Sequence, residues 1–206
     1  MVVDFDGTVT ETDVLDTIAG SFGDPAVYQE VEDGLHGGTM TLREVITREF
    51  EPVKMPLEEA VQWALDNVKI RPGFRELVEL ARERGWRVVV VSSGFHELIE
   101  PMLEHEGVDV ELHANRVDAQ PDGWRVIWRY DDGDCEVCGE SCKRSTVRRL
   151  AGEDEVVYIG DGISDRCAAE ASDRVFATRD LAGYLDERGV PYERFDDFRS
   201  IVESLA

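Results

Sequence analysis

The chain has 206 residues, enough for one domain, or one domain with a sizeable insertion, around a real hydrophobic core. With 45 acidic against 22 basic residues it carries a formal charge of -23, a balance that repels nucleic-acid phosphates and anionic lipid and sets both aside as partners. No run approaches the ~20 apolar residues of a membrane span, and no basic segment followed by an apolar signal core opens the chain, so a soluble, cytoplasmic protein is expected.

In chain order, Val2-Val3-Asp4-Phe5-Asp6-Gly7-Thr8 reads as a short buried strand that ends in two carboxylates and opens into a tight turn. Asp4 and Asp6 are two apart and, from an extended strand end, point the same way. Two like charges held close call for a positive charge between them, and carboxylates with a backbone carbonyl and a substrate phosphate suit Mg2+. Glu11 to Ala19 reads as a first helix ended by Gly20 to Gly23. Asp24 to Lys69 holds three or four further amphipathic helices, broken at Gly37-Gly38, Pro52 and Pro56, with no convincing strand. A block that is helical throughout, set between strands, is expected to be an insertion over residues 11–71, closed by Arg71-Pro72-Gly73.

From Gly73 the pattern becomes α/β. A helix carrying Phe74, Leu77, Val78 and Ala81 stops at Gly85, and the unbroken run Val88 to Val91 has the look of a strand buried on both faces of a parallel sheet. A helix from His96 to Glu106, a short strand near Val110, and a hairpin from Ala114 to Tyr130 turning at Pro121-Asp122-Gly123 follow. Then come a helix from Lys143, a strand over Val156 to Ile159, a helix over Asp165 to Ala171, a strand over Arg174 to Ala177, an edge segment over Tyr192 to Phe195 and a last helix from Phe198. This alternation predicts a doubly wound, mainly parallel Rossmann-like α/β sheet with a small helical cap inserted after the first strand. The core is expected over residues 1–10 and 72–206. Trp63 and Trp86 fall on expected apolar faces and read as core, and His36, His105 and His113 as surface or loop residues.

In such sheets ligands bind at the carboxyl ends of the strands. Three strands end in reactive side chains: Asp4 with Asp6, Ser92, and Asp161; Lys143 opens a helix between the second and the third. Three carboxylates, a hydroxyl and a lysine are the parts for moving a phosphoryl group through a carboxylate nucleophile.

Asp4-Phe5-Asp6-Gly7-Thr8, Val91-Ser92-Ser93-Gly94, Lys143, and Gly160-Asp161-Gly162-Ile163-Ser164-Asp165 resemble, in order, the four motifs of the haloacid dehalogenase-like phosphatases. The resemblance implies that Asp4 is the nucleophile and Asp6 the general acid and base. It implies that Ser92, Ser93, Gly94 and Lys143 hold the phosphoryl oxygens. Asp4, Asp6 through its carbonyl, and Asp161 would bind Mg2+, with Asp165 orienting a metal-bound water or Lys143. The helical insertion resembles the cap of the phosphoserine phosphatase branch, which implies a small phosphorylated metabolite as substrate and a monomer or homodimer. Asp13 stands where that branch keeps a carboxylate for the substrate amine, and equally reads as a solvated helix acid. Where an arginine for the serine carboxylate is expected, the chain has Glu49 with Arg48 beside it, and His96 replaces an acid common in relatives; with Asp13, Arg48 and His96 are the candidate substrate residues that the resemblance implies. Lys69 to Arg75, the hairpin with Trp128 and the cysteines leading into Lys143 resemble the 2-hydroxy-3-keto-5-methylthiopentenyl-1-phosphate phosphatases of the same branch.

Three of the four cysteines, Cys135, Cys138 and Cys142, have the spacing to share a zinc. The fourth ligand would be Cys167, His113 or an acid; the alternative is reduced thiols packed in a loop. Only Lys54, Lys69 and Lys143 are lysines, an acid-rich and lysine-poor balance that fits high salt or a coding bias toward arginine.

Overall fold

The computed structural model of the protein describes residues 1–129, 135–138 and 142–206. The strands are β1 (Val2–Val3), β2 (Val89–Phe95), β3 (Glu111–Gln120), β4 (Gly123–Ile127), β5 (Val157–Gly160), β6 (Arg174–Ala177) and β7 (Glu193–Arg194). They form one sheet in the order β4-β3-β2-β1-β5-β6-β7, parallel except for β4 at one edge. The helices are α1 (Val14–Phe22), α2 (Pro25–His36), α3 (Leu42–Phe50), α4 (Leu57–Asn67), α5 (Phe74–Glu83), α6 (His96–Glu106), α7 (Lys143–Ala151), α8 (Arg166–Ala169), α9 (Arg179–Arg188) and α10 (Phe198–Leu205). No helix among the described residues is long and apolar enough to cross a membrane.

The valine run explains why the sheet is covered on both sides. Side chains alternate along a strand, so Val90 joins one buried cluster, with α5, α6 and α10, while Val89 and Val91 join a second, with α7, α8 and α9. The sheet is therefore doubly wound, as the alternation implies. Its central strand is β1, paired in parallel with β2 through Val2 and Val89 and with β5 through Val2 and Tyr158. That pairing carries Asp4, Ser92 and Asp161 to the same edge of the sheet.

α1 to α4 all lie between β1 and α5 in the chain, and their ends are drawn together at a narrow neck. Thr10 bridges Ile70 in antiparallel fashion, flanked by bonds from Glu11 N to Lys69 O at 2.9 Å and from Arg71 N to Val9 O at 2.7 Å. α3 leans on the sheet through aromatic rings. Phe50 meets Phe95 edge-on with centroids 4.9 Å apart and stacks on Trp124 at 5.7 Å.

Four local expectations are revised. The first helix begins at Val14 because Asp13 caps it, accepting from the amide of Asp16 at 2.9 Å. The strand near Val110 and the first arm of the hairpin are one strand, β3, which pairs with β2 on one side and β4 on the other; the expected end of the hairpin at Tyr130 lies outside the described residues. α9 was not expected, since Gly183 interrupts a segment with few apolar residues, but Leu181, Ala182 and Leu185 are buried under it and packing outweighs propensity. Trp86 is not core: it is 39% exposed in the loop before β2, with the Arg84 guanidinium 5.3 Å from its ring.

Because Phe50 is fully buried and bridges α3 to the sheet, Phe50→Ala is expected to destabilise the fold by about 3–5 kcal/mol, the usual cost of emptying such a site. Denaturant unfolding measures it, and a loss below ~1 kcal/mol would mean that α3 is not held by this ring contact.

Candidate active site

β1 delivers Asp4 to the sheet edge, where its carboxylate accepts from the amide of Phe5 at 2.6 Å. The chain then reverses over Phe5 to Val9. Gly7 turns it at φ +74°, and a Cβ there would lie 2.3 Å from Asp161 Oδ2, so both the backbone conformation and the space require glycine. Thr10 Oγ1 accepts from the Gly7 amide at 3.0 Å, and Thr8 Oγ1 donates to Asp161 Oδ1 at 2.7 Å. From the neck, Arg71 donates to the carbonyls of Thr8 at 2.8 Å and Gly7 at 2.7 Å. The sequence offered Arg71 as part of a motif; its work as a clamp on the turn follows only from the chain path.

Lys143, buried at the start of α7, lies 2.5 Å from Asp4 and 2.6 Å from Asp165. Asp165 is fully buried and also receives Tyr158 Oη at 2.7 Å and the amides of Asp161 and Gly162, each at 2.9 Å. Tyr158 was not among the expected site residues; its inward position on β5 could not be told from a core tyrosine. Burial is the largest influence on Lys143 and works against its charge, yet Asp165 and Asp4 hold it above the usual lysine range. For Asp165 burial likewise opposes ionisation, and Lys143 with the Gly162 amide outweighs it and keeps the carboxyl below its ordinary value. Asp4 goes the other way: burial, then the Asp165 charge, push it well up against the pull of Lys143. Burial and Asp165 raise Asp161 to about 6.

These directions bear on a cation. Asp4, Asp161 and Asp165 each bring a carboxylate oxygen within 4.8 Å of the others in a buried site where one lysine is the closest positive charge, with Arg179 3.5 Å from Asp161 on its outer side. Carboxylates packed so closely resist ionisation unless a positive charge is added, and an all-oxygen donor set suits a hard divalent ion. The residues present therefore fit Mg2+.

Asp6 lies on the far side of the turn. Its carboxylate accepts from Ser92 Oγ at 2.9 Å and from the Val14 amide at 3.3 Å, while Ser92 Oγ accepts from the Gly94 amide at 2.7 Å. A side chain at Gly94 would meet Asp6 at 2.7 Å, so this glycine keeps the carboxylate in place. Burial raises Asp6, with the Ser92 bond opposing. Ser93 faces the crevice itself.

That crevice, of about 490 Å3, runs from Asp4, Asp6 and Asp161 to the inner faces of α1, α2 and α3. Its far wall joins Leu15, Leu35, Leu42, Val45 and Ile46 to the acids Asp13, Asp16, Glu32 and Glu49. Asp13 thus both caps α1 and lines the crevice, and His36, expected on the surface, stands at its rim. Burial and Asp6 raise Asp13 to about 8; burial and Asp13 raise Glu49 to about 8. Two expected substrate residues fall elsewhere. Arg48 turns away to pair with Glu30 at 3.0 Å, because on α3 it lies a helical step from the inward-facing Glu49. His96 starts α6 and pairs with Glu100 at 2.8 Å, outside the crevice lining.

The profile of the haloacid dehalogenase-like hydrolases matches residues 1–170. The chain belongs to this family. It is similar, at 33% identity over all of its length, to the bifunctional enzyme MtnB/MtnX of Bacillus licheniformis, of which it spans 48%. It is 30% identical to the 2-hydroxy-3-keto-5-methylthiopentenyl-1-phosphate phosphatase of Geobacillus kaustophilus, with 98% of this chain and 93% of the relative covered. Among solved structures, a phospho-aspartyl intermediate analogue of phosphoserine phosphatase superposes with a TM-score of 0.74 at 21% identity, over 98% of this chain and 96% of the other. The phosphoserine phosphatase of T. onnurineus gives 0.72 at 23% identity, over 98% and 91%. The protein is accordingly a phosphatase of the haloacid dehalogenase-like family with that family's α/β fold.

Since Glu49 is held at about 8 against an ordinary 4.5, the folded phosphatase binds more protons than the unfolded chain between those values, and this residue's contribution to stability declines as pH rises through that window. Glu49→Gln is expected to melt higher than the natural protein above pH 8 and to lose that advantage toward pH 4.5. Melting curves across this range check it; an advantage that does not vary with pH would contradict the burial of a charged Glu49.

Proposed function

We propose that the protein hydrolyses a small phosphomonoester by way of an aspartyl-phosphate on Asp4, with Mg2+ as its cofactor. The observation that carries this reading is the buried contact of Asp4 with Lys143 at 2.5 Å, itself held by Asp165 at 2.6 Å. A carboxylate at a strand end, aimed by the Phe5 amide and faced by a fixed cation, is a nucleophile whose approach to phosphorus is oriented in advance. Lys143 offsets the charge that gathers on the phosphoryl oxygens, and Ser93, which lines the crevice, supplies a donor, while the expected Gly94 amide is engaged by Ser92 Oγ at 2.7 Å. Ser92 acts mainly through Asp6, holding that carboxylate at 2.9 Å. Asp6, raised by burial, is suited to hand a proton to the leaving oxygen and then to take one from the attacking water. Asp4 and Asp161 are the carboxylates that would hold Mg2+, with the Asp6 carbonyl as the third protein ligand that the family resemblance implies; bound there, the ion would add charge neutralisation to the phosphoryl group. Residues 1–10 with 72–206 form the catalytic core in this proposal, and the helices within 11–71 the cap that covers it and excludes water.

For the substrate we infer 2-hydroxy-3-keto-5-methylthiopentenyl-1-phosphate, the compound in the names of several relatives. The crevice supports it. Leu15, Leu42, Val45 and Ile46 offer an apolar wall for an alkylthio end, and Asp13 and Glu49 accept from hydroxyls. Phosphoserine is the second reading, favoured by the structural neighbours and by acids able to meet an amine. Its carboxylate, however, would face Glu49 while Arg48 is engaged with Glu30.

With Mg2+ supplied, acid quenching during turnover of a labelled phosphomonoester is expected to trap label on the natural protein and none on Asp4→Asn, with turnover down by ~10^4-fold or more. Labelling or near-normal turnover of the variant would rule out the covalent route. Side-by-side kinetics are expected to favour the methylthio substrate over phosphoserine in kcat/KM by at least ~10^2-fold, and the reverse preference would overturn the substrate assignment.

A further inference from the structure

Three of the four cysteines lie together just before α7, and the fourth, Cys167, lies in α8. In the fold they meet: Cys135, Cys138, Cys142 and Cys167 each place a sulfur within 4.8 Å of the other three, and none is in a disulfide. A tetrahedral ion bonded to sulfur at ~2.3 Å sets its ligands roughly 3.8 Å apart, a separation that falls inside the 4.8 Å limit holding these four sulfurs together. The Cys-x2-Cys turn has the geometry that such centres use, with the Val137 amide donating to Cys135 Sγ at 3.4 Å. A divalent ion with four thiolates is a dianion overall. Arg166 lines the same cavity as Cys138, Cys142 and Cys167, its guanidinium 4.5 Å over the Tyr184 ring and its buried Nε without a hydrogen-bond partner among the described residues. Neither His113, which pairs with Glu111 at 2.7 Å, nor an acid completes the set.

We infer that Cys135, Cys138, Cys142 and Cys167 form a structural site for a soft divalent cation, zinc, which fastens the start of α7 to α8. The role follows from position. Cys142 directly precedes Lys143, and Cys167 lies two residues beyond Asp165, so one ion ties together the two chain segments whose side chains form the buried 2.6 Å pair. Four ligands with no open position give a closed site that holds structure and does no chemistry. Each thiol gives up its proton on binding, and the ion takes no part in turnover. All-sulfur ligation also separates it from Mg2+, which prefers the oxygens of the crevice. The assignment is independent of which substrate the enzyme uses.

The test uses the whole chain purified with reduced thiols and no added chelator. Elemental analysis is expected to find about one zinc per chain, and exchange with Co2+ to produce the thiolate-to-cobalt charge-transfer bands of a four-sulfur site. Competition against a chromophoric chelator should show zinc affinity lowered at least tenfold in Cys167→Ser. Cys138→Ser, at an exposed position, gives the same readout should Cys167→Ser fail to fold. A protein with four reduced thiols that retains no zinc when zinc is supplied, or serine variants that bind it as tightly as the natural chain, would overturn the proposal.

Discussion

The site depends on a charged lysine kept where water does not reach. Alone, Lys143 would lose its charge to burial; between Asp4 and Asp165 it keeps it. Asp165 in turn is ionised only because Lys143, Tyr158 and two backbone amides converge on it. Such a network is strong when complete and costly when one partner is missing. Much of the surrounding architecture serves to complete it: β5 places Tyr158 and Asp161, the turn after β5 supplies the amides, and the first residue of α7 supplies the lysine.

Around this cation the carboxylates divide by environment. Asp165 accepts four hydrogen bonds or ion contacts and stays ionised, while Asp4, Asp6 and Asp161, with fewer donors, are all pushed upward. Groups of one chemical type thereby acquire different roles. The excess of negative charge that remains is the physical reason the site suits a divalent ion.

The far wall of the crevice is a different surface. It is apolar with embedded acids, carried on α1 to α3, and it reaches the sheet through the rings of Phe50, Phe95 and Trp124. In the proposed function, phosphate handling and substrate choice fall on separate parts of the chain, joined at the neck where Arg71 holds both the turn after β1 and the strand bridge of Thr10 and Ile70.

The doubly wound sheet and the gathering of Asp4, Asp6, Ser92 and Asp161 at one edge were legible in the sequence, because apolar runs ending in polar residues are local patterns and parallel strands bring like ends together. The haloacid dehalogenase-like motifs were legible for the same reason. Helix α9 and the exposure of Trp86 were not, since each depends on what lies across from it in space and not on its own neighbours in the chain. The facing of Glu49 inward and Arg48 outward and the clamp made by Arg71 belong to the tertiary structure alone, as does the choice of Cys167, among the candidates the sequence offered, to meet the other three cysteines. Burial and charge pairing act through distances of a few ångströms, and only the folded path of the chain sets those distances.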